Sequence, residues 1–160
     1  MDKFLLQQQV LDRLAEDLLQ TERAARAAHE TATHEECIAE NKYDTLGLEA
    51  AYLATGQARR AEAIRQAMAD WRQFRPLSYD ARVGIKLGAL VCLVDSDDKQ
   101  QQLFLGPDGG SMKLASGAQF IQVISSEAPL GRAVLGKFEG DQVSIQVASI
   151  RQQFEVLWVH

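Results

Sequence analysis

Cysteine, proline, aromatic residues and excess positive charge are all scarce in this chain, and each scarcity removes a class of explanation. The two cysteines, Cys37 and Cys92, lie in dissimilar parts of the sequence. They form neither a disulfide framework nor a metal-binding spacing, which suits a reduced, cytoplasmic setting. A formal charge of −5 gives the molecule as a whole no attraction for nucleic acid or an anionic membrane. No apolar run approaches the ~20 residues that a membrane span needs. The opening Met1-Asp2-Lys3-Phe4-Leu5-Leu6 passes directly into glutamines, leaving no room for a signal-peptide core, so no membrane partner is expected. Aromatic residues are 7% of the chain, too few to line a large binding pocket generously.

The distribution of proline and glycine divides the chain. All 3 prolines and nine of the 11 glycines fall at or after position 76. Before it, alanine and leucine recur at helical spacing and β-branched residues are few. A helical N-terminal part, residues 1–75, and a strand-rich domain, residues 76–160, follow from that contrast.

In the first part Leu11, Leu14, Leu18, Thr21, Ala25, Ala28 and Ala32 recur at steps of three and four, the seam of a coiled coil. A second register runs through Ala50, Ala54, Gln57, Ala61, Ile64, Met68 and Trp71. The simplest arrangement is an antiparallel helical hairpin of roughly 45 Å, with leucines toward its base and alanines toward its turn. The turn falls within residues 29–49, where Glu30, Glu35, Glu36, Glu40, Asp44 and Glu49 are answered by one lysine, Lys42. Such a charge knot cannot serve a hydrophobic core. It is either a solvated tip or a tool that reaches into something, and a plain spacer or dimerising coiled coil is the competing reading. His29 and His34 lack further ligands at metal-binding spacing and read as surface residues. Arg59, Arg60, Arg65, Arg72 and Arg75 read as a solvated face paired to the first helix, with contact to RNA or acidic walls as the alternative.

The second part alternates as strands over residues 88–94, 102–105, 120–124, 143–147 and 154–159, with a short amphipathic helix from Pro129. Residues 106–110, Gly-Pro-Asp-Gly-Gly, read as a hairpin loop. An α+β fold results, in which the hairpin precedes a small antiparallel-sheet domain with one short helix. Trp71, Phe74 and Leu77 are expected to pack the hairpin base against that domain.

The run Ser126-Glu127-Ala128-Pro129-Leu130-Gly131-Arg132-Ala133-Val134-Leu135-Gly136-Lys137, then Gly140-Asp141-Gln142-Val143, resembles the C-terminal signature of the bacterial Gre transcript-cleavage factors. That signature runs Ser-Pro-(Leu/Ile)-Ala-Arg-Ala-Leu-(Ile/Leu)-Gly-Lys and then (Gly/Asp)-Asp-x-Val. Gly88-Ala89-Leu90-Val91 with its acidic turn at Asp95 is similar to the family's Gly-x-x-Val strand. The resemblance implies an FKBP-like sheet domain that docks at the rim of the RNA polymerase secondary channel, with Ala128, Pro129, Leu130 and Arg132 contributing. It implies a monomer that has no cofactor of its own and is not an enzyme. The hairpin enters the channel, and two tip carboxylates help hold Mg²⁺ in the polymerase active site while the 3′ end of backtracked RNA is hydrolysed.

The family's tip resembles Gly-Asp-x-x-Glu-Asn-x-x-Tyr. Glu40-Asn41 match its Glu-Asn pair, Glu36 stands in place of the aspartate but four residues before Glu40, Tyr43 comes one residue early, and Asp44 is an extra acid. Glu36 and Glu40 are the expected metal-sharing pair, Asp44 a substitute, Asn41 and Tyr43 their support. Because placement matters at the ångström scale in such chemistry, the alternative is a regulator or inhibitor that occupies the channel without efficient cleavage. An FKBP-like prolyl isomerase is a further reading.

Overall fold

The computed structural model describes residues 2–34 and 45–160. Among them the chain forms two long helices, α1 (Lys3–Thr33) and α2 (Leu46–Gln73), then β1 (Leu90–Asp95), β2 (Gln100–Gly106), β3 (Met112–Ser116), β4 (Gln119–Ser125), α3 (Pro129–Val134), β5 (Gln142–Val147) and β6 (Ile150–Val159). None of these helices is long and apolar enough to cross a membrane.

The first long helix contains no glycine or proline and is rich in leucine, alanine, glutamine, glutamate and arginine, all good helix formers. The second ends just short of Arg75-Pro76, because the proline ring crowds the residue before it out of helical geometry. Arg75 Nη1 then donates to the carbonyls of Arg72 and Phe74, at 2.6 and 2.9 Å, covering acceptors that the ending helix leaves unpaired.

Two compact units result, one of residues 12–68 and one of residues 1–11 with 69–160. In the first, the two helices form the antiparallel hairpin. Leu14, Thr21 and Ala28 of α1 and Ala50, Ala61 and Met68 of α2 are buried, and the seam positions between them are half-buried. The three-and-four spacing therefore marks the contact face. Arg65 Nη2 reaches Glu22 Oε1 across the helices at 2.6 Å, and its Nη1 reaches Glu62 Oε2 at 3.0 Å. Hydrogen bonds to the two carboxylates hold the guanidinium even more firmly protonated than usual. The solvated-face reading holds for this arginine.

In the second unit a six-stranded sheet runs β3-β4-β2-β1-β6-β5. Central β1 is buried on both faces. Val91 and Leu93 join Leu103, Leu105, Val134 and Val156 in the core cluster, while Phe104 lies against Trp71 and Phe74. The expectation of an antiparallel sheet holds for four pairings, but β2 and β4 run parallel, with Phe104 opposite Val123. The cause is β3, which was not legible as a strand. It pairs only with β4, so the β2–β3 connection leaves one strand's width into which β4 returns. Residues 106–110 therefore close no hairpin. In β6 the pairing with β1 slips between Cys92 and Leu93, opposite Trp158 and Val156, and leaves Leu157 as the extra residue of a bulge.

Trp71 is fully buried in this unit. Its ring lies edge-on to Phe74 at 5.7 Å and tilted against Phe104 at 6.1 Å, and it fills a slot made by Gly106 and Gly110. Gln7, buried on α1, donates its side-chain amide to the carbonyls of Trp71 and Phe74. Trp71 and Phe74 pack as expected, but Leu77 is 65% exposed and contributes only its carbonyl, which accepts a hydrogen bond from Lys3 Nζ.

Candidate functional site

Two stretches carry the residues singled out from the sequence. The acidic one, with Glu36, Glu40, Asn41, Tyr43 and Asp44, lies outside the described residues, as does Cys37. What is described is its frame. It connects the end of α1 to the start of α2, so the hairpin carries these acids between its two helices. His29, Glu30, His34 and Glu49 beside it are exposed. The backbone N–H of Glu49 donates to the Thr45 carbonyl at 2.9 Å, and Thr45 Oγ1 donates to the Glu49 carboxylate at 3.2 Å, closing the first turn of α2. An acid there also complements the positive end of the helix dipole.

Sequence reasoning passed over the apolar residues of that turn and the next. Leu46, Leu48, Tyr52 and Leu53 are exposed by 54, 55, 70 and 56%. Their signal was available: none belongs to the seam register, so large side chains there had no core to enter.

The second stretch is the turn between β4 and α3, and here the structure is explicit. Ser125, the last residue of β4, is buried and faces Gly106 in the parallel pair. Its hydroxyl accepts the N–H of Glu127 at 3.2 Å, and its carbonyl accepts the N–H of Ala128 at 3.2 Å. The helix starts at Pro129, whose missing N–H is no loss in a first turn and whose fixed φ suits it. The N–H of Arg132 donates to the Ala128 carbonyl, and its Nε donates to the Glu127 carbonyl, both at 2.9 Å. Arg132 Nη2 stands 3.7 Å from the Glu127 carboxylate, with both side chains well exposed.

The four residues that the resemblance assigned to docking divide. Ala128 and Leu130 are half-buried and rest on the core, whereas Pro129 and Arg132 face solvent. Gly131 and Val134, on the inner side of the helix, are buried. The turn thus presents an exposed proline and one exposed Arg132–Glu127 charge pair beside residues that rest on the core.

Elsewhere in the sheet-bearing unit, glutamines 100, 101, 102, 119 and 122 line an open cleft of about 350 Å³, with Phe120 its one aromatic side chain. This offers poor material for gripping proline rings. Cys92 is buried in β1, and burial pushes its thiol pKa up, the reverse of a reactive cysteine. Among the described residues no group of three histidine, cysteine or acidic side chains is arranged to hold a metal ion.

Residues 82–160 match the family model described as transcription elongation factor, GreA/GreB, C-term. Transcription elongation factor GreA of Alkalilimnicola ehrlichii is 26% identical over 102 residues, which cover 62% of this chain and 60% of that protein. The GreA of Maridesulfovibrio salexigens is 32% identical over 77 residues, covering 47% and 44%. The match thus spans about half the length of these curated relatives. Among solved structures, the GreA factor homolog 1 (Gfh1) protein of Thermus thermophilus is 24% identical, with 94% of each chain covered and a TM-score of 0.39. The sheet domain, at residues 82–160, is thus a GreA/GreB-like C-terminal domain, and a helical hairpin precedes it in the chain.

Proposed function

We propose that this protein is a transcription elongation factor of the cytoplasm, monomeric, which binds RNA polymerase through its sheet domain. The hairpin enters the secondary channel and brings Glu36 and Glu40, with Asp44 beside them, to the active site to stimulate cleavage of backtracked RNA. The observation that carries this reading is the joining of a GreA/GreB C-terminal domain to a helical hairpin whose connection holds Glu35, Glu36, Glu40 and Asp44. Carboxylate oxygens are the donors that Mg²⁺ takes, and a catalytic ion with open positions uses one or two of them. The ion, when bound in the polymerase, activates water or stabilises the leaving oxygen. This chain supplies reach and negative charge, and the polymerase supplies substrate and catalysis.

The experiment is RNA release from a purified backtracked polymerase complex. Wild-type protein is expected to shorten the transcript, and Glu40→Ala to abolish that effect while polymerase binding is retained. Equal shortening by both proteins refutes the role of Glu40. The second reading, channel occupancy that slows the polymerase without cleavage, is favoured by the spacing of Glu36 and Glu40, four residues against the three of the family's pattern. It predicts slower nucleotide addition by uncompromised complexes and no RNA release.

A further inference from the structure

We propose that the outer flank of α2, carrying Leu48, Tyr52, Leu53 and Gly56, is a docking surface for the protein wall of the polymerase channel that receives the hairpin's acidic end. The inference rests on the function proposed above. Leu48, Tyr52 and Leu53 are each more than half exposed. A cluster of large apolar side chains left in water marks an interaction site, where single scattered ones do not.

The hairpin's own packing makes no use of them. Its seam on α2 runs through Ala50, Ala54 and Gln57, which are buried or half-buried. At about 100° per residue, Leu48 and Tyr52 stand on the side of α2 turned away from that seam, and Leu53 stands on its flank. Gly56 lies one turn beyond Tyr52 and Leu53, four and three residues on, so it continues the same surface. It is exposed, and a Cβ added there meets nothing within 4 Å among the described residues. Glycine inside a helix is less favourable than alanine, because its backbone loses more freedom on folding. No described neighbour in the hairpin requires it. A missing side chain beside an apolar cluster lets another surface come close to the helix backbone, and that gives the glycine its use.

Charge selects the occupant. Between Lys42 and Arg59 the sequence holds no lysine or arginine, while Asp44 and Glu49 are acidic. The phosphates of RNA or of a lipid headgroup are therefore repelled and not gathered. A second copy of the chain would bring two acid-rich connections together, and like charges facing each other oppose association. Position does the rest. At ~1.5 Å per residue, Gly56 lies roughly 15 Å along α2 from Leu46, so a channel that encloses the acidic connection encloses this flank as well. The surface that fits is protein, with apolar side chains to cover Tyr52 and its neighbours and lysine or arginine at the rim to answer the acids. The acids then serve the reaction, and the apolar flank holds the hairpin where they act.

The test compares wild type, Tyr52→Ala and Gly56→Gln, measuring affinity for purified RNA polymerase and urea denaturation for each. Both variants are expected to bind about tenfold or more weakly. Gly56→Gln should at the same time raise the urea midpoint, because glutamine is the better helix former. A residue that merely supported the fold could not weaken binding while strengthening the fold. Tyr52→Ala should keep its midpoint near wild type, since the ring it loses is exposed. A photo-crosslinking amino acid in place of Tyr52 should join the protein to a polymerase subunit in the backtracked complex. Cross-links to RNA or to a second copy of this chain overturn the inference, as does either variant binding like a binding-competent wild type, and both results leave the proposed function standing. Wild-type protein that does not bind the polymerase overturns that function and this inference with it, and is a distinguishable result.

Discussion

Replacing Gly106 by alanine would put a methyl carbon 2.1 Å from Cη2 and 2.4 Å from Cζ2 of Trp71, well inside van der Waals contact. The indole has no empty space to yield, since it is fully buried between Phe74, Phe104 and the second glycine of the slot, Gly110. Gly106 cannot easily retreat, because it ends β2 opposite Ser125. Overpacking of this kind costs about 1–3 kcal/mol, and the closeness of the contact points to the upper end. Removing the ring has its own cost. Burying about 200 Å² of indole is worth about 5 kcal/mol at ~25 cal/mol per Å², and measured Trp→Ala losses of about 3–5 kcal/mol agree. The informative quantity is the coupling. In Trp71→Ala the atoms that Gly106→Ala would strike are gone, so the double variant should lose about 1–3 kcal/mol less than the sum of the singles. Urea denaturation followed by circular dichroism, with wild type, both singles and the double variant measured together, reads this directly. Additive losses, or a Gly106→Ala protein with the wild-type midpoint, would show that the slot does not hold the ring.

Two further outcomes follow from burial and charge. In a Cys37→Ser background, Cys92 should react with a thiol reagent at pH 8 at least about a thousandfold more slowly than a free thiol, because labelling requires opening of the central strand. Rapid modification in native buffer would contradict its place in β1. Burial lowers the pKa of Lys3 from its ordinary 10.5, so the folded state binds fewer protons than the unfolded one just below that value. Stability should therefore rise as pH climbs from the depressed pKa toward 10.5. Lys3→Met should remove that rise, and urea midpoints at pH 8 and near pH 10.5 for both proteins measure it; identical alkaline behaviour would refute the burial.

The hairpin was legible because a contact between two helices leaves a periodic trace. All fourteen seam positions named from Leu11 to Ala32 and from Ala50 to Trp71 are buried or half-buried. The seam in fact begins earlier, at Leu6, Gln7 and Val10, where a buried glutamine interrupts the apolar pattern and hides the continuation. In the sheet, β1, β2, β4, β5 and β6 announced themselves through runs or alternation of apolar residues. Strand β3, Met-Lys-Leu-Ala-Ser, buries only Leu114 and offers too little pattern to be read alone. For the candidate site, the run from Ser126 to Lys137 marked out the turn between β4 and α3. It did not separate Ala128 and Leu130, which lean on the core, from Pro129 and Arg132, which do not.

What the sequence determined by itself is whatever one element encodes locally: two amphipathic helices, most of the strands, the charge knot between the helices, and a family signature. What only the tertiary structure decided is where elements distant in sequence meet: the parallel pairing of β2 with β4, the indole seated on two glycines, and the helix pressed against a backbone carbonyl. Periodicity reports how a segment is shared between core and solvent. The partner it packs against, and how closely, is decided by the whole chain's packing, and glycine shows this most clearly. Gly56, Gly106 and Gly131 are the same residue in the sequence, yet an added methyl meets open space at the first and an indole or a carbonyl at the others.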